Sequence, residues 1–149
     1  MTRPLILLCA LFVLILSPAA RADDVATSYA RAVVYLPGGR GPITPADIPA
    51  TRKLPVVLLL HGCAGIGSRE QDAHKWAAHI ASAGYLVVMP DSLARSDRPA
   101  SCDRKTRSAA MFPGVFELRR GEVRYAIEHI RGAPWFDGRT LALMGYSEG

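Results

Sequence analysis

No apolar run in this sequence is long enough to cross a bilayer. The longest, Leu5 to Leu16, has twelve residues, against the roughly twenty that a membrane helix needs. With Met1-Thr2-Arg3 before it and Ala20-Arg21-Ala22 after it, this segment reads as a secretory signal peptide, residues 1–22, cleaved before Asp23. A lipoprotein signal is disfavoured because Leu8 stands before Cys9, where a small residue is wanted. The expectation is an exported chain, periplasmic or secreted, with no stable membrane anchor after cleavage.

A strong excess of one charge is also lacking. Lys and Arg number 18 against 13 Asp and Glu, and loss of Arg3 and Arg21 with the leader reduces the net charge from +5 to +3. That is too mild to imply a nucleic-acid partner. The densest basic stretch holds Arg95, Arg98, Arg104, Lys105 and Arg107, interrupted by Asp97 and Asp103. It reads as a solvated loop or, alternatively, as a patch that steers an anionic substrate. Cysteine is scarce, and once Cys9 leaves with the leader, Cys63 and Cys102 remain. Two sulfurs make a poor zinc site. In an oxidising compartment the pair fits a disulfide, with a free thiol as the alternative. Internal repeats and low-complexity tracts are missing, and no boundary divides residues 23–149.

The remaining pattern alternates strands and helices. After a short polar lead, Tyr29 to Leu36 reads as a strand ending at Pro37-Gly38-Gly39, and residues 40–53, rich in Pro and Gly, as a loop. Pro55 to Leu60 is a continuous apolar run, suited to a central parallel strand buried on both faces. Glu70 to Ala83 predicts a helix with Trp76, Ala77, Ile80 and Ala83 on one side and Gly84 at its end. Tyr85 to Met89 predicts a second buried strand, followed by an irregular stretch from Ser92 to about Pro113. Phe116, Val123, Ala126, Ile127 and Ile130 trace one face of a helix that stops near Gly132. Thr140 to Met144 is the last strand. This order predicts an α/β fold on a mostly parallel sheet with flanking helices.

Two motifs sit at the ends of two of those strands. Gly145-Tyr146-Ser147-Glu148-Gly149 matches G-x-S-x-G directly after an apolar strand, the strand-to-turn setting that exposes a serine nucleophile. His61-Gly62-Cys63-Ala64-Gly65 follows the buried run ending at Leu60. Small residues there let backbone amides point into a site, as a developing oxyanion requires. The candidate roles are Ser147 as nucleophile and the amides of Cys63 and Glu148 as oxyanion donors. His61 is expected to brace its loop by hydrogen bonding. His74 and His79 lie five apart, off the spacing that would put two ligands on one helix face; they and His129 read as surface or packing residues. Asp91, after a strand end, reads as a loop anchor.

Together, the turn at His61 to Gly65, the segment Gly84 to Asp91 and the terminal pentapeptide resemble the N-terminal half of a dienelactone hydrolase family protein, from about Tyr29 onward. The resemblance implies an incomplete α/β-hydrolase fold, a small-molecule ester or lactone as substrate, an acyl-enzyme at Ser147, and no metal or organic cofactor. It also implies a triad running Ser, Asp or Glu, then His along the chain. All four histidines precede Ser147. The family's namesake enzymes carry cysteine where this chain has Ser147, which favours general ester substrates over dienelactone. The expectation is a truncated hydrolase, inactive alone, with C-terminal strands missing and the strand ending at Met144 left as a sheet edge. The alternative is a noncatalytic half-fold that binds a partner chain through that edge, or one completed by a second polypeptide that carries the Asp and His.

Overall fold

A computed structural model describes residues 18–67, 72–98, 101–103, 108–109 and 114–149. In chain order the elements are α1 (Pro18–Ala30), β1 (Val33–Tyr35), β2 (Leu54–Leu60), α2 (Asp72–Ser82), β3 (Leu86–Met89), β4 (Cys102–Asp103), β5 (Ser108–Ala109), α3 (Val115–Gly132) and β6 (Phe136–Gly145). Single 3-10 turns occupy Pro45–Asp47 and Ser92–Ala94. Among the described residues no helix is long and apolar enough to cross a membrane.

The main sheet runs β1-β3-β2-β6, with β2 parallel to both β3 and β6 and β1 antiparallel to β3. Alternation along β2 divides the core in two, because successive side chains of a strand point to opposite faces. Val56, Leu58 and Leu60 pack with Leu86, Val88, Ala126 and Ile130 on the α1 and α3 side. Leu59 joins Val87, Met89, Ala73, Ala77 and Ala81 on the α2 side. A strand covered on both faces has no use for polar residues, which is why β2 reads as an unbroken apolar run. Within the described residues this is an incomplete α/β-hydrolase fold, a mostly parallel sheet with flanking helices.

Three local expectations are corrected. The polar lead and the start of the first strand are helical. Tyr29 ends α1, where its ring meets Tyr125 edge-on at 5.9 Å and lies 5.2 Å from His129. The carbonyl of Ser28 accepts the Asp91 N–H at 3.0 Å. Those contacts with α3 and the end of β3 outweigh a local β preference, so the strand is confined to Val33–Tyr35. On α2 the buried stripe is Ala73, His74, Ala77 and Ala81, and Trp76 is 47% exposed. Alanines four apart let the helix lie close over Val87 and Met89, and this turns Trp76 outward. On α3 Phe116 is 55% exposed, while Arg119 and Glu122 share the buried stripe with Val115, Ala126 and Ile130. Glu70, Arg104, Lys105 and Arg107 lie outside the described residues.

β6 forms one edge of the sheet. It pairs with β2 on one side, and no other described strand pairs with it. Most of its residues beyond Phe136 are exposed, Leu143 at 57%. Unpaired backbone groups beside an exposed leucine favour association between chains. Leu143→Lys is expected to shift the protein toward monomer on size-exclusion chromatography at micromolar concentration, and an unchanged elution profile would count against this edge as the contact.

Candidate active site

Leu60 is in register with Gly145 across β2 and β6, so both strands release their chains at the same level of the sheet. The turn after β2 closes with the Gly65 N–H donating to the Gly62 carbonyl at 3.0 Å, and the turn after β6 with the Gly149 N–H donating to the Tyr146 carbonyl at 2.9 Å. Ser147 has φ of +57° and is the one non-glycine residue with positive φ among those described. That left-handed conformation is costly for a residue with a Cβ and gathers at functional sites. The flanking glycines are required by contact. A Cβ on Gly145 would collide with the backbone of Gly149, and one on Gly149 with the Leu60 carbonyl.

The two turns touch. A side chain beginning at Gly62 would come within 3.2 Å of Ser147 Cβ and 3.6 Å of Ser147 Oγ. The bare backbone of the first turn therefore faces the serine of the second. Cys63 and Glu148, whose amides the sequence singles out, directly follow the two touching residues in the chain. Cys63 is disulfide-bonded to Cys102, with Cα atoms 5.4 Å apart.

His61 is fully buried and commits both ring nitrogens. Nδ1 donates to its neighbour's carbonyl on Gly62 at 2.7 Å, and Nε2 accepts the Ser92 N–H at 3.0 Å. Those two roles define a single neutral tautomer. Burial, reinforced by the Arg119 guanidinium, pushes its pKa from 6.5 down to about 4 despite the Gly62 bond, which acts the other way. Above pH 6.5 the imidazole is neutral whether the chain is folded or not. Between pH 6.5 and 4 the unfolded chain takes up the proton first, so stability should fall on acidification by about 1.4 kcal/mol per pH unit at most. Urea unfolding at pH 7 and pH 4.5 measures this drop, and a His61→Asn chain should show a smaller one.

The basic stretch is corrected at Arg95 and Arg98, which are buried in ion pairs and not solvated. Arg95 pairs with Asp97 through Nε at 2.7 Å and reaches Glu122 at 3.4 Å. Arg98 pairs with the carboxylate of Glu148, which also accepts from the Ser101 hydroxyl. Glu122, from α3, accepts from Ser92 Oγ at 2.7 Å and Arg119 Nη1 at 3.1 Å. Arg119 in turn donates Nη2 to the His61 carbonyl at 2.7 Å. This network braces both turns from beneath. Sequence reasoning missed Arg119 and Glu122, although their i, i+3 spacing on the Ala126 and Ile130 stripe carried the signal.

The other candidates keep supporting parts. Asp91 accepts the Leu93 N–H at 3.1 Å and caps a 3-10 turn. His74 bonds the Tyr35 hydroxyl at 2.9 Å and the Gly67 carbonyl at 3.3 Å, and so ties α2 to the loop after β2. His129 stacks on Tyr125 at 3.9 Å and is exposed, as is His79. A cleft of about 400 Å³ opens beside the first turn, lined by Val33, Ala64, Gly65, Ile66, His74 and Leu93.

The arrangement presents a serine on a strained turn, a second turn of small residues against it, and a neutral, fully engaged imidazole behind. No curated protein matches the chain. The profile of the dienelactone hydrolase family matches residues 44–149, a span that includes both turns and the strands beneath them, and the chain accordingly belongs to that family of hydrolases.

Proposed function

We propose that Ser147 is the nucleophile of a serine esterase or lactonase that works through an acyl-enzyme. The carrying observation is Ser147 held at φ +57° against the bare backbone of Gly62. Ser147 Oγ adds to the substrate carbonyl carbon as its proton passes to a base. The resulting oxyanion accepts N–H bonds from Cys63 and Glu148. Collapse expels the alcohol oxygen, which recovers the proton, and leaves an ester on Ser147 that water cleaves by the reverse sequence. In a lactone the expelled alcohol stays tethered to the acyl group.

The rings of His61, His74 and His129 are bonded elsewhere, and the triad Asp and His are proposed to come from a further polypeptide segment. The test is acyl trapping. With a polypeptide supplying an Asp and a His, quenched reactions with a p-nitrophenyl ester should carry the acyl group on the Ser147 peptide. Acylation elsewhere, or hydrolysis with no adduct, would overturn the assignment. A second reading, a half-fold that binds another chain through its sheet edge, draws on the exposed Leu143 and the single-sided pairing of β6.

Export belongs to the same proposal. α1 spans the Ala22–Asp23 junction, and beyond it Asp24 accepts from Ser96 N–H at 3.1 Å and Oγ at 2.8 Å. Cleavage there leaves that anchor in place. N-terminal sequencing of protein recovered from outside the cytoplasm should begin at Asp23, and an intact Met1 would refute processing.

A further inference from the structure

Arg98, Ser101 and Cys102 lie where the two turns of the site come together. Cys102 is bonded covalently to Cys63 of the first turn. Ser101, its neighbour, donates its hydroxyl to one oxygen of the Glu148 carboxylate, and Arg98 donates Nη2 to the other. Arg98, Ser101 and Glu148 are all buried. One short stretch therefore grips both turns, the first through sulfur and the second through charge-assisted hydrogen bonds, which are shorter and stronger than neutral ones.

The two turns hang from different strands, and an oxyanion needs both donors aimed at one point. Arg98 alone would balance the Glu148 charge. Ser101 adds a second, differently placed contact that fixes how the carboxylate, and the peptide unit behind it, is turned. We propose that Ser101 is a positioning residue for the oxyanion site, acting through the Glu148 carboxylate and held in place by the Cys63–Cys102 disulfide, so that reduction of that bond releases the Glu148 amide. The proposal rests on the serine-hydrolase reading, in which the Cys63 and Glu148 amides are the oxyanion donors.

The test follows the two amides by their nitrogen and proton chemical shifts in the isotope-labelled chain, and needs no turnover. A water-soluble phosphine takes the sulfur–sulfur bond to two thiols, while its phosphorus is oxidised to the phosphine oxide with oxygen from water. Reduction should shift both amides in the parent chain. In Ser101→Ala it should still shift Cys63, but Glu148 should no longer follow, and Ser101→Thr should restore the response. A general loosening of the fold would not depend on the residue at 101 in this way. A stationary Glu148 amide on reduction of the parent, or an equal response in Ser101→Ala, overturns the proposal. Should the reduced chain unfold, the oxidised variants decide. The Glu148 shift must then move in Ser101→Ala and return in Ser101→Thr, and an unmoved shift in Ser101→Ala overturns the proposal. Failure of the hydrolase reading has its own signature, full esterase activity in Ser147→Ala, which these shifts do not report.

Discussion

Replacing Ser147 by alanine is expected to abolish ester hydrolysis wherever an Asp and a His complete the site, with a fall in kcat on the order of 10⁴ to 10⁶. On the proposed mechanism, loss of the hydroxyl removes the acyl-enzyme and leaves the modest help of the two proposed oxyanion amides. The same substitution should change nothing in the 149 residues by themselves, because no imidazole among them is available to take the Ser147 proton. His61 is the nearest in sequence to the site, yet both its nitrogens are bonded, to the Gly62 carbonyl and the Ser92 N–H. His74 is committed to Tyr35 and Gly67, and His129 to the Tyr125 carbonyl. His79 lines a surface hollow with Trp76 on α2. Steady-state hydrolysis of a p-nitrophenyl ester by the purified chain and its Ser147→Ala form should therefore coincide. A clear excess in the parent would mean that one of these histidines leaves its partners to act as base.

The second large effect is on stability. Glu122→Ala should lower the unfolding free energy by about 3–5 kcal/mol, the usual result of stripping one partner from a buried ion pair. Glu122 is 2% exposed and serves three donors at once, Ser92 Oγ, Arg95 and Arg119. Its removal takes the shared carboxylate from two buried guanidinium groups and a hydroxyl; Arg95 keeps Asp97 and Arg119 keeps the His61 carbonyl, but Arg119 loses its paired charge and Ser92 Oγ its acceptor in the interior. Glu117→Ala, one turn earlier on α3, is the control. Its pair with Arg120 is exposed on both sides, and such pairs contribute little. Equilibrium urea unfolding of both variants measures the contrast, and equal midpoints would show that the buried network contributes no more than a surface pair. Because Arg119 also holds the His61 carbonyl, the first turn should loosen in Glu122→Ala as well.

Much of the sheet was legible because β2 and β3 are covered on both faces and so appear as bare apolar runs. The turn after β6 was legible for a different reason, since Gly145 and Gly149 are demanded by backbone contacts that leave no room for another residue. What escaped was decided by tertiary contact. Tyr29 sits at a helix end because Tyr125 and His129 are there to receive it, and nothing local to Tyr29 says so. Arg95, Arg98, Arg119 and Glu122 look like solvent-facing charges one at a time, and become interior residues through partners 27 to 58 positions away in some cases and three in another. The exposed Trp76 is the converse case, a large apolar side chain displaced from the interface by smaller alanines that pack closer.

Register between β2 and β6 acts as the gauge of this site. Leu60 stands opposite Gly145, and each strand gives way to its turn one residue later. A slip of one residue would carry Ser147 along by about 3.3 Å and exchange the faces presented by every side chain of β6. Reacting atoms tolerate far smaller displacement than that. An insertion or deletion between Leu141 and Gly145, where the pairing with β2 is continuous, should therefore silence the site as completely as the loss of the serine itself.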